Sequence, residues 1–278
     1  MASNKAFGDK GLLLVLRTPL QEIRFRSTFA GKVALVTGGT RGLGLAAAHA
    51  FVRRGARVVI TARSHDQGQQ AAEELRRAGG EAHFIPGDLA DPATPEALVR
   101  ETVTTFGRLD FAYNNAGVDG RFAPLADLDL AVFEHVININ LRAVFLCMKY
   151  EIQQMLRNGG GVIVNCSSIA STMAFGGLGL YAAAKAGVNA LTRNAAVEYS
   201  ARGIRTVTIA PGAIKTELQQ QAHAQMDPEV LAKIIAVHPI GRFGEPYEIG
   251  NVVAWLCSEE AGFITGAYIN IDGGAGAT

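Results

Sequence analysis

Two side chains that can exchange a proton lie four positions apart in the segment "LYAAAKAG" at residues 180–187. In a helix, Tyr181 and Lys185 would project from the same face, one turn apart. An ammonium beside a phenol favours the phenolate, which would bring a phenol pKa of about 10 closer to neutrality. The pair is therefore a candidate acid or base. The alternative is an alanine-rich helix with one aromatic packing residue and one solvated lysine.

The elements that would position this pair alternate between strand and helix patterns. Apolar β-branched runs such as "KVALVTG" (32–38) and "RVVITA" (57–62) are followed by helical patterns that end at glycines. Seven such strands can be counted, with about as many helices. Because the strands are almost continuously hydrophobic, they predict a parallel sheet covered by helices on both faces. The predicted fold is one doubly wound α/β domain over residues 29–278, with a substrate lid at 213–238.

Composition and charge exclude several classes of function. The chain has 278 residues, 49% of them hydrophobic, and a formal net charge of +1 with scattered basic residues. We therefore expect neither a nucleic-acid partner nor an anionic membrane surface. No uninterrupted apolar run reaches the roughly 18 residues of a membrane span. Residues 1–28 form an extension of unknown role, which could be an organelle-targeting segment or a start-site artefact.

Cysteine and histidine usage predicts no metal. The three cysteines, at positions 147, 166 and 257, are odd in number and far apart, which argues against a disulfide scaffold or a zinc site. They suit a reducing cytoplasm. The six histidines show no ligand spacing, and His223 and His238, which flank the predicted lid, are expected to have surface or packing roles.

A glycine-rich turn, "TGGTRGLG" (37–44), joins the first strand to the first helix. Glycine permits a tight turn and lets a pyrophosphate approach the backbone N–H groups at the helix N-terminus. Its position directly after the first strand of a βα series indicates a nucleotide site. The residues expected to contact the cofactor here are Gly38, Thr40, Arg41, Gly42, Leu43 and Gly44.

The tip of the second strand predicts which nucleotide binds. A carboxylate there would bind both ribose hydroxyls of NAD, but the tip reads "TARS", with Ala62 followed by Arg63. Arg63, helped by Arg41, could pair with a 2′-phosphate through charge-assisted hydrogen bonds. We therefore expect NADP(H). The alternative is that both arginines are solvated surface charges.

Several motifs in one order make the chain resemble the short-chain dehydrogenase/reductase family, from about Lys32 to Gly274. It is similar to 3-oxoacyl-carrier-protein reductase-like and carbonyl reductase-like members, which implies a Rossmann fold. The matching segments are "TGGTRGLG" (37–44), "GDL" (87–89), "NNAG" (114–117), "NINL" (138–141), "SS" (167–168), "YAAAK" (181–185), "PGAIKTE" (211–217) and "ITGAYINIDGG" (264–274).

This resemblance implies a catalytic tetrad. Tyr181 matches the general acid/base, Lys185 its activating partner, and Ser168 the residue that donates a hydrogen bond to the substrate carbonyl. Asn140 matches the helix residue that supports a water relay, although Asn138 competes for that role. Read alone, Ser168 could be a turn residue and Asn140 a polar residue at a helix kink.

The resemblance also implies the remaining contacts of cofactor and substrate. Tyr181 and Lys185 would touch the cofactor as well as the substrate, and the other positions could equally be ordinary turn residues. The further cofactor residues are Asp88, Leu89, Asn115, Ala116, Gly117, Pro211, Gly212, Ile214 and Thr216. The substrate pocket is expected to be mostly apolar and to contain Phe122, Ser168, Met173, Phe175, Leu178, Tyr181 and Met226.

The leading functional hypothesis is an NADPH-dependent carbonyl reductase. The alternatives are an NAD(P)-dependent alcohol or sugar dehydrogenase and a nucleotide-sensing scaffold without turnover. Relatives that reduce carrier-bound substrates hold the acidic carrier with surface arginines; Arg202 fits one such place, but Leu146 occupies the other.

The helices at 127–157 and 181–202 are apolar over much of their circumference, so by resemblance we expect a homotetramer, with a dimer as the second possibility.

Overall fold

The computed structural model describes residues 28–217 and 227–277. Nearly all of the predicted N-terminal extension therefore lies outside the described residues. The same holds for the middle of the predicted lid, including Met226 and His223.

Seven parallel strands form one sheet in the order β3-β2-β1-β4-β5-β6-β7. The chain crosses from one half of the sheet to the other between β3 and β4, so the strand order reverses between β1 and β4. A crevice at this switch point is the usual ligand site of such sheets. The strands are β1 (Val33–Thr37), β2 (Arg57–Ala62), β3 (Ala82–Pro86), β4 (Phe111–Asn114), β5 (Gly161–Cys166), β6 (Ile204–Pro211) and β7 (Tyr268–Ile271).

Helices cover both faces of the sheet, which confirms the predicted doubly wound fold. One face is buried under α1, α2 and α8, and the other under α3, α5 and α6. The helices are α1 (Gly42–Arg53), α2 (His65–Arg77), α3 (Thr94–Phe106), α4 (Leu130–Ile137), α5 (Ala143–Asn158), α6 (Gly179–Tyr199), α7 (Pro228–Ala236) and α8 (Pro246–Leu256). Helix α7 is the described helical part of the predicted lid.

The long helix predicted over 127–157 is divided in the structure. It begins after Asp129, whose side chain accepts a hydrogen bond from the N–H of Val132 at 2.9 Å and so caps the first turn. A π-helical segment, Asn138–Arg142, separates α4 from α5. Such π-turns are frequent at functional sites.

The combined helix Leu130–Asn158 also passes a simple test for a membrane span. Although its apolar run is interrupted, the most apolar 18-residue window has a mean hydropathy of 1.5. This is weak evidence, because core helices of globular proteins meet the same criteria. Only 33% of the window is buried within the chain, so much of this apolar surface is left uncovered by the described residues.

Candidate active site

The loops that follow strands β1 to β6 line two adjoining cavities at the switch point. The nucleotide-side cavity has a volume of about 590 Å³, and the substrate-side cavity about 900 Å³. They share the lining residues Asn115, Gly117, Val118 and Thr216, so the two spaces meet between the loops that follow β4 and β6.

The glycine turn after β1 leaves little space for any side chain. Gly38 and Gly42 have φ angles of +63° and +55°, which favour glycine. Gly44 is buried beneath the turn, where an added Cβ would collide with the carbonyl oxygen of Gly38 and lie 2.7 Å from Nδ2 of Asn115. Gly44 therefore shapes the turn from below, and the surface of the turn stays open to a ligand.

The end of β4 is attached directly to this turn. The side chain of Asn115 donates to the carbonyl oxygens of Thr37 and Gly38 at 3.1 and 3.2 Å. The hydroxyl oxygen of Thr37 accepts from the N–H groups of Asn115 and Ala116 at 3.0 and 3.2 Å. These four bonds hold the edges of the crevice at a fixed separation.

The far end of the nucleotide-side cavity carries positive charge. Arg41 and Arg63 are exposed there, and neither forms an ion pair with a described residue. Ala62 ends β2 at the position that a carboxylate would occupy. The predicted residues that line this cavity are Gly38, Thr40, Arg41, Gly42, Arg63, Asp88, Leu89, Asn115, Ala116, Gly117 and Thr216.

Tyr181 and Lys185 lie on the first turns of α6, and both line the substrate-side cavity. The Nζ atom of Lys185 lies 5.6 Å from the centroid of the Tyr181 ring and donates a 2.7 Å hydrogen bond to the carbonyl oxygen of Cys166. The two side chains therefore share one helix face, as the spacing predicts. Four predicted cofactor residues, Leu43, Pro211, Gly212 and Ile214, line the same cavity.

The expected lowering of the Tyr181 pKa does not occur in the structure. Burial raises this pKa above its ordinary value of 10, and the charges of Cys166 and Asp119 act in the same direction, whereas the hydrogen bond with Ser168 lowers it. Burial also lowers the pKa of Lys185, against the opposing effects of Cys166 and Asp119. Because burial is the largest of these effects on Tyr181, the phenol retains its proton and is suited to act as an acid.

Ser168 is held by several hydrogen bonds at the end of β5. Its Oγ accepts from the N–H of Ala170 at 3.1 Å. Its carbonyl oxygen accepts from the hydroxyl of Ser171 at 2.6 Å and from that of Tyr268 on β7 at 3.3 Å. The side chain of Asn189 on α6 in turn donates to Ser171 at 2.9 Å. Tyr268 lies in the matched segment 264–274, but no motif indicated that Ser171, Asn189 or Tyr268 would support Ser168, because their proximity depends on tertiary packing.

Asn140 lies in the π-segment, fully buried and behind the cavities. Its side chain bonds the N–H and the carbonyl oxygen of Val118 at 3.0 and 2.7 Å, and the carbonyl oxygen of Val136 at 3.1 Å. A Cβ on Gly117 would lie 2.7 Å from Asn140 Oδ1 and 3.4 Å from Lys185 Nζ. Asn140 therefore fixes the loop after β4 close to Lys185. Its expected part in a water relay stays a prediction.

The substrate-side cavity is walled mainly by apolar side chains. Phe122, Phe175 and Leu178 line it as predicted, and α7 contributes Ile234 and Val237. Met173 is not among the lining residues, because the short helical turn after Ser168 directs the chain away before Phe175. Met226 lies outside the described residues.

His238 has a positioning role that the sequence did not reveal. Its Nε2 accepts a hydrogen bond from the N–H of Ala213 at 2.9 Å, and its Nδ1 lies 3.0 Å from the carbonyl oxygen of Ile234. These partners imply the neutral tautomer with the proton on Nδ1. The residue is 4% exposed, and Gly212 gives it room, since a Cβ there would lie 2.7 Å from Nε2. His238 thus attaches the end of α7 to the loop after β6.

Within residues 28–217 and 227–277, no group of three or more histidine, cysteine, aspartate or glutamate side chains could hold a metal ion. The three cysteines are buried and free. Burial raises the pKa of the Cys257 thiol to about 12 and that of Cys147 well above its ordinary value. These two thiols are therefore poor nucleophiles.

Comparison with known proteins identifies the family. The family model described as "Enoyl-(Acyl carrier protein) reductase" matches residues 38–276. Cyclohexanol dehydrogenase of Acinetobacter sp. (strain SE19) is 39% identical over 245 residues, which cover 88% of this chain and 95% of that protein. The chain belongs to the short-chain dehydrogenase/reductase family.

Two solved structures extend the likeness to three dimensions. The crystal structure of levodione reductase has a TM-score of 0.86 and 38% identity, covering 90% of this chain and 99% of the other. A short-chain type dehydrogenase/reductase from Mycobacterium ulcerans has a TM-score of 0.85 and 30% identity, covering 90% and 91%. Alignment along nearly the full length of these short-chain dehydrogenase/reductases confirms the predicted fold and family.

Membership of the short-chain dehydrogenase/reductase family implies a nicotinamide cofactor, and the described residues fit one. The glycine turn exposes backbone N–H groups at the start of α1. Gly38 and Gly44 leave no room for a side chain at their own positions. The two cavities together provide a continuous space from Arg63 to Tyr181. When bound there, the cofactor would supply or accept a hydride.

Proposed function

We propose that this protein is an NADPH-dependent carbonyl reductase that interconverts an apolar cyclic ketone and its secondary alcohol. The relatives support an oxidoreductase of CH–OH and C=O groups. The observation that carries the proposal is the position of Ser168, Tyr181 and Lys185 together on the substrate-side cavity, next to the nucleotide-side cavity.

The roles of these side chains follow from their chemistry. A substrate carbonyl oxygen gains negative charge during reduction, and the hydroxyls of Ser168 and Tyr181 stabilise that charge by donating hydrogen bonds. Tyr181 then gives its proton to the oxygen, which completes the alcohol. The ammonium of Lys185, held by the carbonyl of Cys166, stabilises the phenolate that results. In alcohol oxidation the same groups act in reverse.

The preference for NADPH rests on the charge at the far end of the nucleotide-side cavity. Arg41 and Arg63 have no acidic partner among the described residues, and Ala62 offers no carboxylate to the ribose hydroxyls. Arg63→Ala should raise the KM for NADPH at least about tenfold, the value of one charge-assisted contact, and change that for NADH less than about twofold. Arg77→Ala, which alters an exposed arginine on α2, is the control. Equal effects on both cofactors would contradict the assignment.

The substrate class is suggested by the apolar cavity wall and by the cyclohexanol dehydrogenase relative. The test is oxidation of NADPH and NADH with cyclohexanone, apolar β-ketoesters and diketones, and reduction of NADP⁺ and NAD⁺ with cyclohexanol. Tyr181→Phe is assayed alongside. We expect turnover with NADPH and cyclohexanone, and its loss in Tyr181→Phe with NADPH binding retained.

Two other outcomes would redirect the proposal. Faster alcohol oxidation with NAD⁺ would favour a dehydrogenase, which the named activity of the Acinetobacter relative makes the second candidate. Cofactor binding with no turnover of any carbonyl or alcohol would favour a nucleotide-sensing scaffold.

A homotetramer is proposed from the uncovered apolar surface of the long helices. Phe133 and Phe145, from the helix Leu130–Asn158, and Val197, on α6, are exposed in the single chain, Val197 by 87%. Large exposed apolar side chains grouped on neighbouring helices mark interaction surfaces. Light scattering should give four times the 29.3 kDa of one chain. A monomer at micromolar concentration would contradict this.

The buried, free cysteines support a reducing, cytoplasmic location.

A further inference from the structure

The substrate-side cavity carries two charged side chains that catalysis does not use. Asp119 lies in the loop after β4, and Lys233 lies on α7. Apart from Lys185, the other described lining residues are uncharged, and they include the neutral His238. An otherwise apolar cavity with few polar groups uses those groups to orient its ligand.

The two charges differ in their relation to the reacting groups. Asp119 is close enough to raise the pKa values of both Tyr181 and Lys185. Lys233 contributes to neither shift, so it acts at a greater effective distance from the catalytic pair. The cavity therefore carries its negative charge on the loop after β4, where Asp119 acts on Tyr181 and Lys185, and its positive charge on α7.

Lys233 faces this cavity without a partner of its own. Lys233 and Ile234 on α7, and Val237 and His238 directly after it, all line the cavity. In the part of the chain that the structure describes, the ammonium forms no hydrogen bond or ion pair. Glu229, one turn earlier, does not approach it within 4.0 Å, and the sequence of residues 218–226 contains no carboxylate.

We propose that Lys233 binds a carboxylate on the substrate at the end remote from the carbonyl. The preferred substrate is then an apolar ring or chain with a ketone or secondary alcohol at one end and an acid group at the other. Asp119 disfavours a carboxylate next to the reacting carbon, since like charges would meet there. This inference rests on the proposed oxidoreductase function and narrows its substrate class.

The test compares two ketones of the same shape. The probe is 4-oxocyclohexanecarboxylate, and its neutral counterpart is 4-oxocyclohexanecarboxamide. The wild-type protein should turn over the acid with a kcat/KM about tenfold above that of the amide, as expected for one charge-assisted contact. This preference should shrink with rising salt, because an exposed ammonium is screened. Lys233→Met should remove the preference by raising the KM for the acid far more than the KM for the amide.

Three further variants separate binding from structure. Lys233→Arg should retain most of the preference, because it keeps the positive charge. Lys233→Glu should invert the preference. Lys149→Met, at an exposed lysine of α5 away from both cavities, is the matched control and should behave as wild type.

Each result decides between the inference and the function on which it rests. If the amide is turned over, the acid is not preferred and Lys233→Met changes nothing, the inference is wrong and the proposed function stands. If Lys233→Met lowers the melting temperature and affects both ketones equally, Lys233 stabilises α7, for example through Glu229, and the inference is also wrong. If neither these ketones nor cyclohexanone is reduced, the proposed function fails and the inference fails with it.

Discussion

The two sides of the substrate cavity are built differently. We call Asn140, Ser168, Tyr181 and Lys185 the catalytic floor, and the loop 118–122, the turn 173–178 and α7 the substrate wall. The floor lies on β5, α6 and the π-segment, and hydrogen bonds hold Asn140, Ser168 and Lys185 in place. The wall is largely exposed, with Phe122 at 73% and few hydrogen bonds. Hydrogen bonds thus fix the groups proposed to transfer protons, while the wall proposed to contact the substrate is held less tightly.

The largest loss of activity should follow from adding one methyl group beside the floor, at Gly117. In Gly117→Ala the new Cβ would lie 2.7 Å from Asn140 Oδ1 and 3.4 Å from Lys185 Nζ, so one of them has to move. A displacement of about 1 Å at a catalytic group can cost roughly 100-fold in rate. We expect kcat to fall by about that factor, measured by steady-state assay.

The wall provides the control for this change. Gly176 lies in the turn 173–178, has no atom within 4 Å of an added Cβ and needs no positive φ. Gly176→Ala should therefore leave kcat within about twofold of wild type, a small effect typical of an unconstrained surface position. Similar losses in both glycine variants would show that floor and wall are equally constrained, contrary to the comparison.

The floor should have a pH-dependent stability that the wall lacks, because a buried acidic side chain lies beneath the floor. Glu151 on α5 is fully buried, and its Oε2 accepts from Asn114 Nδ2 at 2.9 Å. Burial raises the pKa of Glu151 from 4.5 to about 8, although the hydrogen bond from Asn114 acts in the opposite direction. Between these two pH values the native state binds more protons than the unfolded state. The contribution of Glu151 to the free energy of unfolding is therefore fully present below pH 4.5 and is lost as the pH rises towards 8.

Glu151→Gln should remove this dependence, because the amide keeps an acceptor for Asn114 and does not titrate. Denaturant unfolding at several pH values measures it. The wild-type free energy of unfolding should fall more steeply than that of the variant between pH 5 and 8, by up to about 1.4 kcal/mol per pH unit. Parallel curves would mean that Glu151 is ionised in the folded protein.

The same contrast explains how much the sequence could predict. Tyr181, Lys185 and Ser168 line one cavity, as predicted, because each lies at a fixed offset within a helix or just after a strand, and a motif records such offsets. The wall was predicted less well: Met173 does not line the cavity, and Lys233 was not singled out. These positions depend on how loops pack between elements far apart in sequence, and no local pattern encodes that.

The electrostatic environment of the site also could not be predicted from the sequence. The spacing of Tyr181 and Lys185 predicted a lowered phenol pKa, whereas burial raises it. Spacing shows which groups are neighbours, but the loss of solvation depends on everything packed around them. The roles of Asn189 and Tyr268 beneath Ser168 were missed for the same reason.

His238 joins α7 of the wall to the loop after β6, and its loss should affect substrate binding more than the rate of the chemical step. His238→Leu removes the acceptor for the N–H of Ala213 and the contact with the carbonyl of Ile234. Loss of a buried hydrogen bond of about 1 kcal/mol should raise the KM for the ketone about fivefold, with kcat nearly unchanged. His135→Leu, at an exposed position of α4, is the control. A fall in kcat with unchanged KM would instead place His238 among the groups that set the floor.

The smallest effect should come from the outermost bond of the floor. In Tyr268→Phe the ring stays, but the hydroxyl 3.3 Å from the carbonyl oxygen of Ser168 and 3.2 Å from Oγ of Ser171 is lost. Ser171 still holds Ser168 at 2.6 Å, so only a fine adjustment of the serine should be released. We expect kcat to fall about two- to fivefold, the value of one weak hydrogen bond, with KM unchanged.

Ser171→Ala sharpens the same measurement, because it removes the shorter bond to Ser168 and also leaves the Asn189 side chain without its acceptor. Its kcat should fall further than that of Tyr268→Phe, again at constant KM. The double variant should lose little more than Ser171→Ala alone, since both hydroxyls act on one carbonyl oxygen. Additive losses of kcat in the double variant, or a rise in KM, would show that Tyr268 supports the cavity as a whole. The fixed position of Ser168 would then depend on Ser171 alone.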